Sequence, residues 1–345
     1  MGINIPSVEQ SSRIVNCLAQ LSRLDLAALA IASKSHRSLV VSSEVTKLRW
    51  QMGCVEQYVY VCLRIFPEPS PRWFILHPIQ RWLKPIHMDF YDQAPKSGSA
   101  FVTMSYLIYI IGGLVDGKPT SEVSYFNCIQ HKWYALPPMK MARASPSASL
   151  MLTDSGGCKI YVFGGLADDV ADSSNWAEVY DISTNTWDFL FVFTPKMPLN
   201  IQQSVLMKTK EEEEVYAVDE DETIGVSWGH SYSAVPPAGE YCGVCPDLHW
   251  KEVKGLEQLR QWGSYITKLC TGPAGKIVIF SKPHPHSLEL YSTEISISLV
   301  KGKRNRRDSR EIWGKIEWSC PVFKLDPLTD SSYSFNVLYA NYVHN

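Results

Sequence analysis

The sequence predicts a mostly β protein in which a small helical arm precedes a β-propeller of five blades, or of six with one of them stunted. Two observations lead to this fold class. Runs of β-branched and aromatic residues that end in Gly-Gly recur at a period of about 50 residues, which is typical of propeller blades. The N-terminal residues instead carry apolar side chains at helical spacing. We therefore divide the chain into a helical domain, residues 1–52, and a propeller, residues 55–345.

The arm is predicted to contain three short helices. Ile14, Leu18 and Leu21 fall on one stripe of 3.6-residue period, which indicates an amphipathic first helix. Asp25 is a suitable N-cap for the second helix, and Ser43 for the third. A helical piece of this size is marginal on its own, so we expect it to pack on the propeller or on a partner.

The repeat is clearest in two copies, at residues 107–133 and 159–187. Each copy has a strand run, a Gly-Gly pair, a tyrosine and a tryptophan. The glycine pairs lie 52 residues apart, the tyrosines 55 and the tryptophans 54, and such a common shift indicates blades rather than isolated hairpins. The structural residues of the two copies are Gly112, Gly113, Tyr125 and Trp133, and then Gly164, Gly165, Tyr180 and Trp187.

The remaining strand patterns are weaker. Residues 58–64 and 72–76 are predicted to belong to a first blade, residues 214–218 to a shortened blade, and residues 276–318 to a last repeat. No Gly-Gly pair follows the strand at 214–218, and the stretch after it lacks most of a normal repeat. The blade count therefore stays open at five or six.

The order of these motifs resembles the kelch repeat, and the helical segment from Cys17-Leu-Ala-Gln-Leu to Arg37-Ser-Leu resembles an F-box. Together they resemble the plant family of F-box/kelch-repeat proteins. In that family the F-box docks onto the Skp adaptor of an SCF-type ubiquitin ligase, which also contains a cullin, and the propeller holds a protein substrate. By motif position, the resemblance implies these adaptor-facing residues: Ile14, Cys17, Leu18, Leu21, Leu24, Leu29 and Ile31.

The resemblance implies a substrate-recognition subunit that is not itself an enzyme. Two departures from the family pattern leave an alternative open. Residues 7–13 lack the usual Leu-Pro start, and His36 stands where an aromatic residue is expected. The alternative is a kelch scaffold with a decayed F-box and no role in ubiquitination. Exposure of the apolar stripe on residues 14–31 would favour the ligase subunit, and burial against the propeller would favour the scaffold.

Composition limits the other partners. The chain has 345 residues, of which 45% are hydrophobic and 20% charged, and its formal net charge is −2. This near-neutral balance argues against binding to nucleic acid or to a membrane surface. The N-terminal residues do not resemble a secretory signal, and nine scattered cysteines fit a reducing compartment. We therefore expect an intracellular protein, cytoplasmic or nuclear.

No motif predicts catalysis, a cofactor or a metal. Phosphate-loop, metalloprotease and serine-hydrolase motifs are absent from the sequence. Cys242, Cys245 and His249 would make half of a zinc site, but a second ligand pair is missing. His284 and His286 flank a proline, which favours an exposed turn. An enzyme would instead need a metal or perturbed titrating groups in the central funnel.

Two charged runs have ordinary structural interpretations. The acidic residues 211–214 are best explained as a solvated hairpin edge, although a partner-binding patch is the alternative. The basic residues 301–307 are predicted to form a hairpin loop, with a nuclear-import address or a phosphate contact as the alternative.

Overall fold

The computed structural model describes the chain in segments with gaps between them: residues 8–40, 42–54, 56–86, 95–152, 157–166, 175, 177–190, 203–208, 213–218, 224–229, 251–261, 265–271, 276–301, 310–326 and 333–344. Among these residues, the part up to Gln51 is helical, and nearly all regular structure from Gln57 onward is strand. The prediction of a mostly β chain behind a helical arm is confirmed.

The described part of the arm contains four helices rather than the three predicted. They are α1 (Val8–Gln20), α2 (Arg23–Ala32), α3 (Lys34–Val40) and α4 (Ser43–Gln51). The side chains of Ser22 and Ser42 accept hydrogen bonds from the backbone N–H of Asp25 and Val45, so these serines are the N-caps of α2 and α4. The predicted caps Asp25 and Ser43 are therefore wrong, because both lie inside their helices.

The arm has a small core of its own. Leu18, Leu26 and Val45 are buried in it. The partly buried residues around them are Val15, Leu21, Leu29, Leu39 and Val40. α1 packs against α4, and α2 against α3. Helices of 7 to 13 residues are marginal in isolation, so this shared core is what stabilises them.

The described strands form five four-stranded antiparallel sheets and one two-stranded ribbon. The first sheet contains β1 (Gln57–Phe66), β2 (Arg72–Leu76) and β3 (Leu83–Pro85). The second contains β4 (Ala100–Met104), β5 (Leu107–Ile111), β8 (Val123–Asn127) and β9 (Lys132–Leu136), and the ribbon β6 (Leu114–Val115) and β7 (Lys118–Pro119) lies between β5 and β8.

The third sheet contains β10 (Ser147–Leu152), β11 (Cys158–Phe163), β12 (Ala177–Asp181) and β13 (Thr186–Leu190). The fourth contains β14 (Gln203–Lys208), β15 (Glu213–Val218), β16 (Ile224–Gly229) and β17 (Lys251–Glu252). After a short helix, α5 (Glu257–Gln261), the fifth contains β18 (Tyr265–Thr271), β19 (Lys276–Lys282), β20 (Glu289–Lys301) and β21 (Arg310–Lys324). The last strand, β22 (Ser334–His344), completes the first sheet beside β1.

Contacts connect the sheets in one succession, from the fourth through the fifth, the first and the second to the third. Contacts join β4 with β10, β14 with β18, β18 with β22, and β22 with β4. Four-stranded antiparallel sheets packed in this radial succession are the blades of a propeller. The described residues thus form five blades. In the fourth blade, the described part of the outer strand β17 is Lys251–Glu252.

The last strand closes the ring on the first blade. β22 pairs with β1 from Gln57, opposite His344, to Phe66, opposite Ser334. A buried apolar cluster joins the first and fifth blades along this seam, and its members include Leu63, Ile65, Phe280 and Phe335. The two ends of the propeller sequence are therefore held together by a shared sheet, which the motif spacing alone did not predict.

The ring has two sides. The arm side is the one at which β1 begins and β22 ends, and it carries the turns 77–82, 105–106, 128–131 and 182–185. The loop side is opposite, and its described loops are 67–71, 112–122, 137–146 and 283–288. The backbone N–H of His344 donates to the carbonyl of Ser105 at 3.2 Å, which joins two of these strand ends on the arm side.

The strand register corrects one predicted landmark. Trp133 lies opposite Phe126, and Trp187 lies opposite Tyr180. The structural counterpart of Tyr180 is therefore Phe126, which lies 54 residues earlier, as Trp133 lies before Trp187. Tyr125 is the wrong residue, because neighbouring strand residues face opposite sides of a sheet and Tyr125 packs in a different cluster from Phe126.

Candidate protein-binding surfaces

The structure divides the predicted adaptor-facing residues into groups that differ in accessibility. They are the exposed Ile14, Cys17 and Ile31, the core-packed Leu18, Leu21 and Leu29, and Leu24, whose side chain lies outside the described residues. Ile14 is 43% exposed and Ile31 is 80% exposed in the whole chain, so the propeller does not cover them. Ile14 and Cys17 are three residues apart on α1 and therefore share one face of the helix.

His36, where the sequence departs from the F-box pattern, has a local structural role. Its backbone N–H donates to Ser33 Oγ at 3.1 Å, and its Nδ1 lies 2.9 Å from the same oxygen. Arg37 Nε donates to the carbonyl of Ala30 at 3.1 Å, near the end of α2. These polar contacts hold the corner between α2 and α3. The His36 ring stays exposed, and it does not provide the apolar packing expected of an aromatic residue at this position.

The Gly-Gly pairs allow a close approach of the chain on the loop side. Gly112 has φ +61°, and a Cβ at this position would lie 2.6 Å from the carbonyl oxygen of Arg143. The N–H of Gly113 donates to that carbonyl at 2.8 Å. In the next repeat, Gly165 accepts from the N–H of Ala144 at 2.8 Å. The link between the second and third blades therefore passes directly over both glycine pairs, which leaves no room for side chains.

Below this link lies a buried ion pair that the sequence analysis missed. Arg143 and Glu178 are both 0% exposed, and Arg143 Nη2 is 2.9 Å from Glu178 Oε1. The guanidinium also donates to the carbonyls of Gly164 and Asn175, at 2.7 and 2.6 Å. The carboxylate in turn accepts the backbone N–H of Lys140 and that of Met141, at 2.6 and 3.1 Å. A buried pair is tolerated when its remaining donors and acceptors are satisfied in this way.

The pKa of Arg143 follows from this setting. Burial lowers the pKa of the Arg143 guanidinium, and the hydrogen bond and the charge of Glu178 oppose that shift. Because arginine stays protonated in proteins, the guanidinium keeps its charge at physiological pH. The pair acts as a structural tie between two blades.

The two repeat tryptophans join neighbouring blades. Trp187 Nε1 donates to the carbonyl of Pro137, in the link from the preceding blade, at 2.9 Å. The centroid of the Trp133 ring lies 6.1 Å from that of Trp73 in the first blade. Each tryptophan thus packs backward onto the blade before it, and this contact gives its position in the repeat a physical reason.

The loop side presents mixed charges to solvent. Lys96 pairs with Glu122, and Lys140 Nζ is 3.1 Å from Asp188 Oδ1. Val115 is exposed among polar neighbours in the loop that carries the β6–β7 ribbon. Surfaces of this composition are ordinary for protein recognition, because interfaces combine charge pairs at the rim with scattered apolar contacts.

Within the described segments, no group of three His, Cys, Asp or Glu side chains could hold a metal ion. Cys242, Cys245 and His249 lie outside those segments, and His284 and His286 are exposed in the turn after β19. Burial raises the pKa of the Cys62 and Cys270 thiols, which keeps both protonated and unreactive.

The charged runs fall largely outside the described residues. Residues 302–307 of the basic run 301–307 lie outside the described residues, as do residues 211 and 212 of the acidic run, and Glu213 and Glu214 belong to β15. Each of the helices α1–α5, in the part of the chain that the structure covers, lacks the length and hydropathy of a membrane span.

Comparison with known proteins agrees with this architecture. A family model described as the FKB95 kelch-repeats domain matches residues 73–233. One F-box/kelch-repeat protein of Arabidopsis thaliana is 33% identical over 91% of this chain and 82% of its own length. A second Arabidopsis thaliana F-box/kelch-repeat protein is 31% identical over 95% of this chain and 91% of its own length. A third is 30% identical over 90% of this chain and 88% of its own length.

The propeller and its N-terminal arm define the class of the protein as a kelch-repeat propeller with an attached helical arm. On the similarity to these relatives, the chain belongs to the plant family of F-box/kelch-repeat proteins. The resemblance inferred from the motifs is confirmed.

Proposed function

We propose that this chain is the substrate-recognition subunit of an SCF-type ubiquitin ligase. The arm binds a Skp adaptor, which connects it to a cullin, and the propeller binds the target protein. The observation that carries the proposal is that Ile14, Cys17 and Ile31 stay exposed on the arm in the whole chain. Such an apolar set, left uncovered by the propeller, suits a partner surface.

The loop side is the proposed substrate site. The arm leaves the ring on the opposite side, so a target on loops 112–122 and 137–146 would not compete with the adaptor for space. Binding residues are frequently found on loops that a rigid scaffold positions. The buried pair of Arg143 and Glu178 gives these loops such a scaffold.

The mechanism is tethering. A target on the propeller and an adaptor on the arm are held in one complex, which raises the effective concentration of target lysines near the conjugating enzyme. The transfer chemistry belongs to other subunits, so the chain needs no catalytic residue or cofactor of its own. This role places it in the cytoplasm or the nucleus.

A pull-down of the full chain with a Skp adaptor and a cullin tests the proposal. Ile31→Asp is the informative variant, and Ile79→Asp is its matched control, because both isoleucines are 80% exposed and Ile79 lies on the propeller. Leu18→Asp is unsuitable, since a charge in the arm core would unfold the arm. We expect the parent and Ile79→Asp to bind, and Ile31→Asp to bind at least about tenfold more weakly, as expected for loss of one buried apolar contact.

Absence of binding by the folded parent would overturn the ligase role. The alternative, a kelch scaffold with a decayed F-box, would then apply, and partners would be sought on the loop side alone. Equal weakening by Ile31→Asp and Ile79→Asp would instead remove the arm from the adaptor interface.

A further inference from the structure

Only a short link separates the arm from the propeller. α4 ends in a Schellman motif, in which Gly53 has φ +67° and the N–H groups of Gly53 and Cys54 donate to the carbonyls of Trp50 and Arg49, at 3.2 and 2.9 Å. β1 begins at Gln57, three residues after Cys54. A link of this length does not act as a flexible tether.

Arg49 connects the inside of the arm to the first blade. The side chain is buried, and its Nη1 donates to the carbonyls of Ala19 and Leu21 at the end of α1. A cation at this place also complements the negative end of the α1 dipole. Its Nη2 lies 3.9 Å from Glu56 Oε1, and the Tyr58 hydroxyl donates to the other carboxylate oxygen of Glu56.

Trp50 connects the same helix to the strand that closes the ring. Its ring centroid is 6.2 Å from that of His344, at the end of β22. His344 lies opposite Gln57 in the sheet, and Gln57 Nε2 is 3.3 Å from His344 Nδ1. The backbone N–H of His344 also donates to the carbonyl of Ser105 in the second blade. Through Trp50, α4 therefore contacts the place where the two ends of the propeller meet.

We propose that these contacts hold the arm in one orientation on the ring, so that arm and propeller move as one rigid body. The positioning residues are Arg49 and Trp50 on the arm, with Glu56 and His344 on the propeller. The consequence of this rigidity for ubiquitination rests on the proposed function. A rigid body holds the propeller at a set distance from the adaptor, so only lysines within a limited zone meet the conjugating enzyme.

The test separates arm orientation from arm folding. Glu56→Gln with His344→Ala removes the carboxylate charge that faces Arg49 and the ring that faces Trp50, but leaves Arg49 bonded to Ala19 and Leu21. The control is Glu68→Gln with His284→Ala, which changes the same residue types on the loop side. Spin labels, introduced on noncanonical residues at the exposed positions Gln20 and Ser183, report the distance between arm and propeller.

In the full chain we expect one narrow distance distribution for the parent and the control, and a distribution at least twice as wide for Glu56→Gln with His344→Ala. Equal widths in parent and variant, or a broad distribution in the parent, would overturn the inference. This measurement needs no adaptor, so its outcome is independent of whether the ligase role holds.

A second measurement concerns function, namely which lysines of the chain become ubiquitinated. A role of these residues in folding alone would not change that set of lysines. In a reconstituted ligase, the lysines of the chain that become self-ubiquitinated are mapped by mass spectrometry. We expect a small, reproducible set in the parent and a wider set in Glu56→Gln with His344→Ala, at unchanged adaptor affinity. The same set in both would contradict the positioning role. Failure of the parent to bind the adaptor would contradict the proposed function. The distance distributions would still show whether arm and propeller move as one rigid body.

Discussion

Arg143 and Glu178 form an ion pair that is wholly buried between the second and third blades, with Nη2 and Oε1 2.9 Å apart. Arg143 stands in the chain segment that links the blades, and Glu178 is in β12. Both side chains also bond to the backbone, the carboxylate to the N–H of Lys140 in the link and the guanidinium to the carbonyl of Gly164 in the third blade. The pair therefore determines the course of the link at residues 137–146, and with it the shape of the loop side.

Removal of one partner should be costly. Arg143→Met leaves the Glu178 carboxylate buried without its cation, and breaking a buried pair in this way costs about 3–5 kcal/mol. Urea unfolding of the full chain, followed by tryptophan fluorescence, measures the loss. We expect Arg143→Met with Glu178→Leu to be less destabilising than Arg143→Met alone. A single variant that loses under about 1 kcal/mol, the range of exposed pairs, would contradict this account.

The register predicts opposite outcomes for two neighbouring aromatic residues. Phe126 is fully buried against Trp73 and Trp133, so Phe126→Ala should cost about 3–5 kcal/mol. Tyr125 is half-buried on the other face, so Tyr125→Ala should cost clearly less. Thermal unfolding of both variants compares them directly. Equal or greater destabilisation by Tyr125→Ala would restore Tyr125 as the counterpart of Tyr180.

The repeat could be predicted from the sequence because the Gly-Gly pair and the Trp each meet a structural need that recurs at the same place in every copy. A glycine pair is needed where the link between blades crosses the strand end, and a tryptophan is needed where a blade packs on the one before it. The error at Tyr125 has a simple origin. A tyrosine stands next to the required position, and a shift of one residue in a strand changes the face. Only the pairing partner, Trp133, identifies Phe126.

The turn after β12 gives a pH-dependent contribution. Asp181 Oδ1 accepts the N–H groups of Ser183 and Thr184, at 2.9 and 3.3 Å. The hydrogen bond from the Ser183 hydroxyl, and after it that from Lys159, lowers the pKa of Asp181 from 3.8 to about 2. The unfolded chain therefore takes up this proton at a higher pH than the folded chain does. Stability from this group is present above pH 3.8 and is lost as the pH falls toward about 2.

Asp181→Asn provides the control, because Asn127 makes the same turn in the preceding repeat with its Oδ1. We expect the parent to lose stability more steeply than Asp181→Asn between pH 3.8 and about 2, as measured by urea unfolding at several pH values. Parallel curves for the two proteins would show that the carboxylate contributes nothing to the pH dependence.

The seam between the first and fifth blades also contains a cation–π contact. The Arg81 guanidinium lies 3.9 Å from the Trp318 ring centroid, and Arg81 has φ +51°. A double-mutant cycle with Arg81→Asn, which tolerates that backbone conformation, and Trp318→Leu measures their coupling. We expect about 0.5–2 kcal/mol, the range of such cation–π contacts. Strictly additive effects of the two substitutions would remove Arg81 from the closure of the ring.

The arm was harder to predict than the blades. A stripe at helical spacing identifies apolar residues, but it does not say whether they face a helix of the same arm or a partner. Leu18 turns toward Val45 of α4, and Ile31 turns to solvent, although both fit the F-box pattern. α3 was missed because it has no buried residue and therefore no apolar periodicity to reveal it. The Arg143–Glu178 pair left no signal either, since its two residues meet only after the blades pack.

Hydrogen exchange of the full chain, with and without a Skp adaptor and cullin, shows which side of the molecule the adaptor covers. We expect the adaptor to slow exchange in α1 and α2, around Ile14, Cys17 and Ile31, and to leave loops 112–122 and 137–146 unchanged and open to a target. Protection on the loop side, or no protection at all, would contradict the assignment of the arm to the ligase and of the opposite side to the substrate.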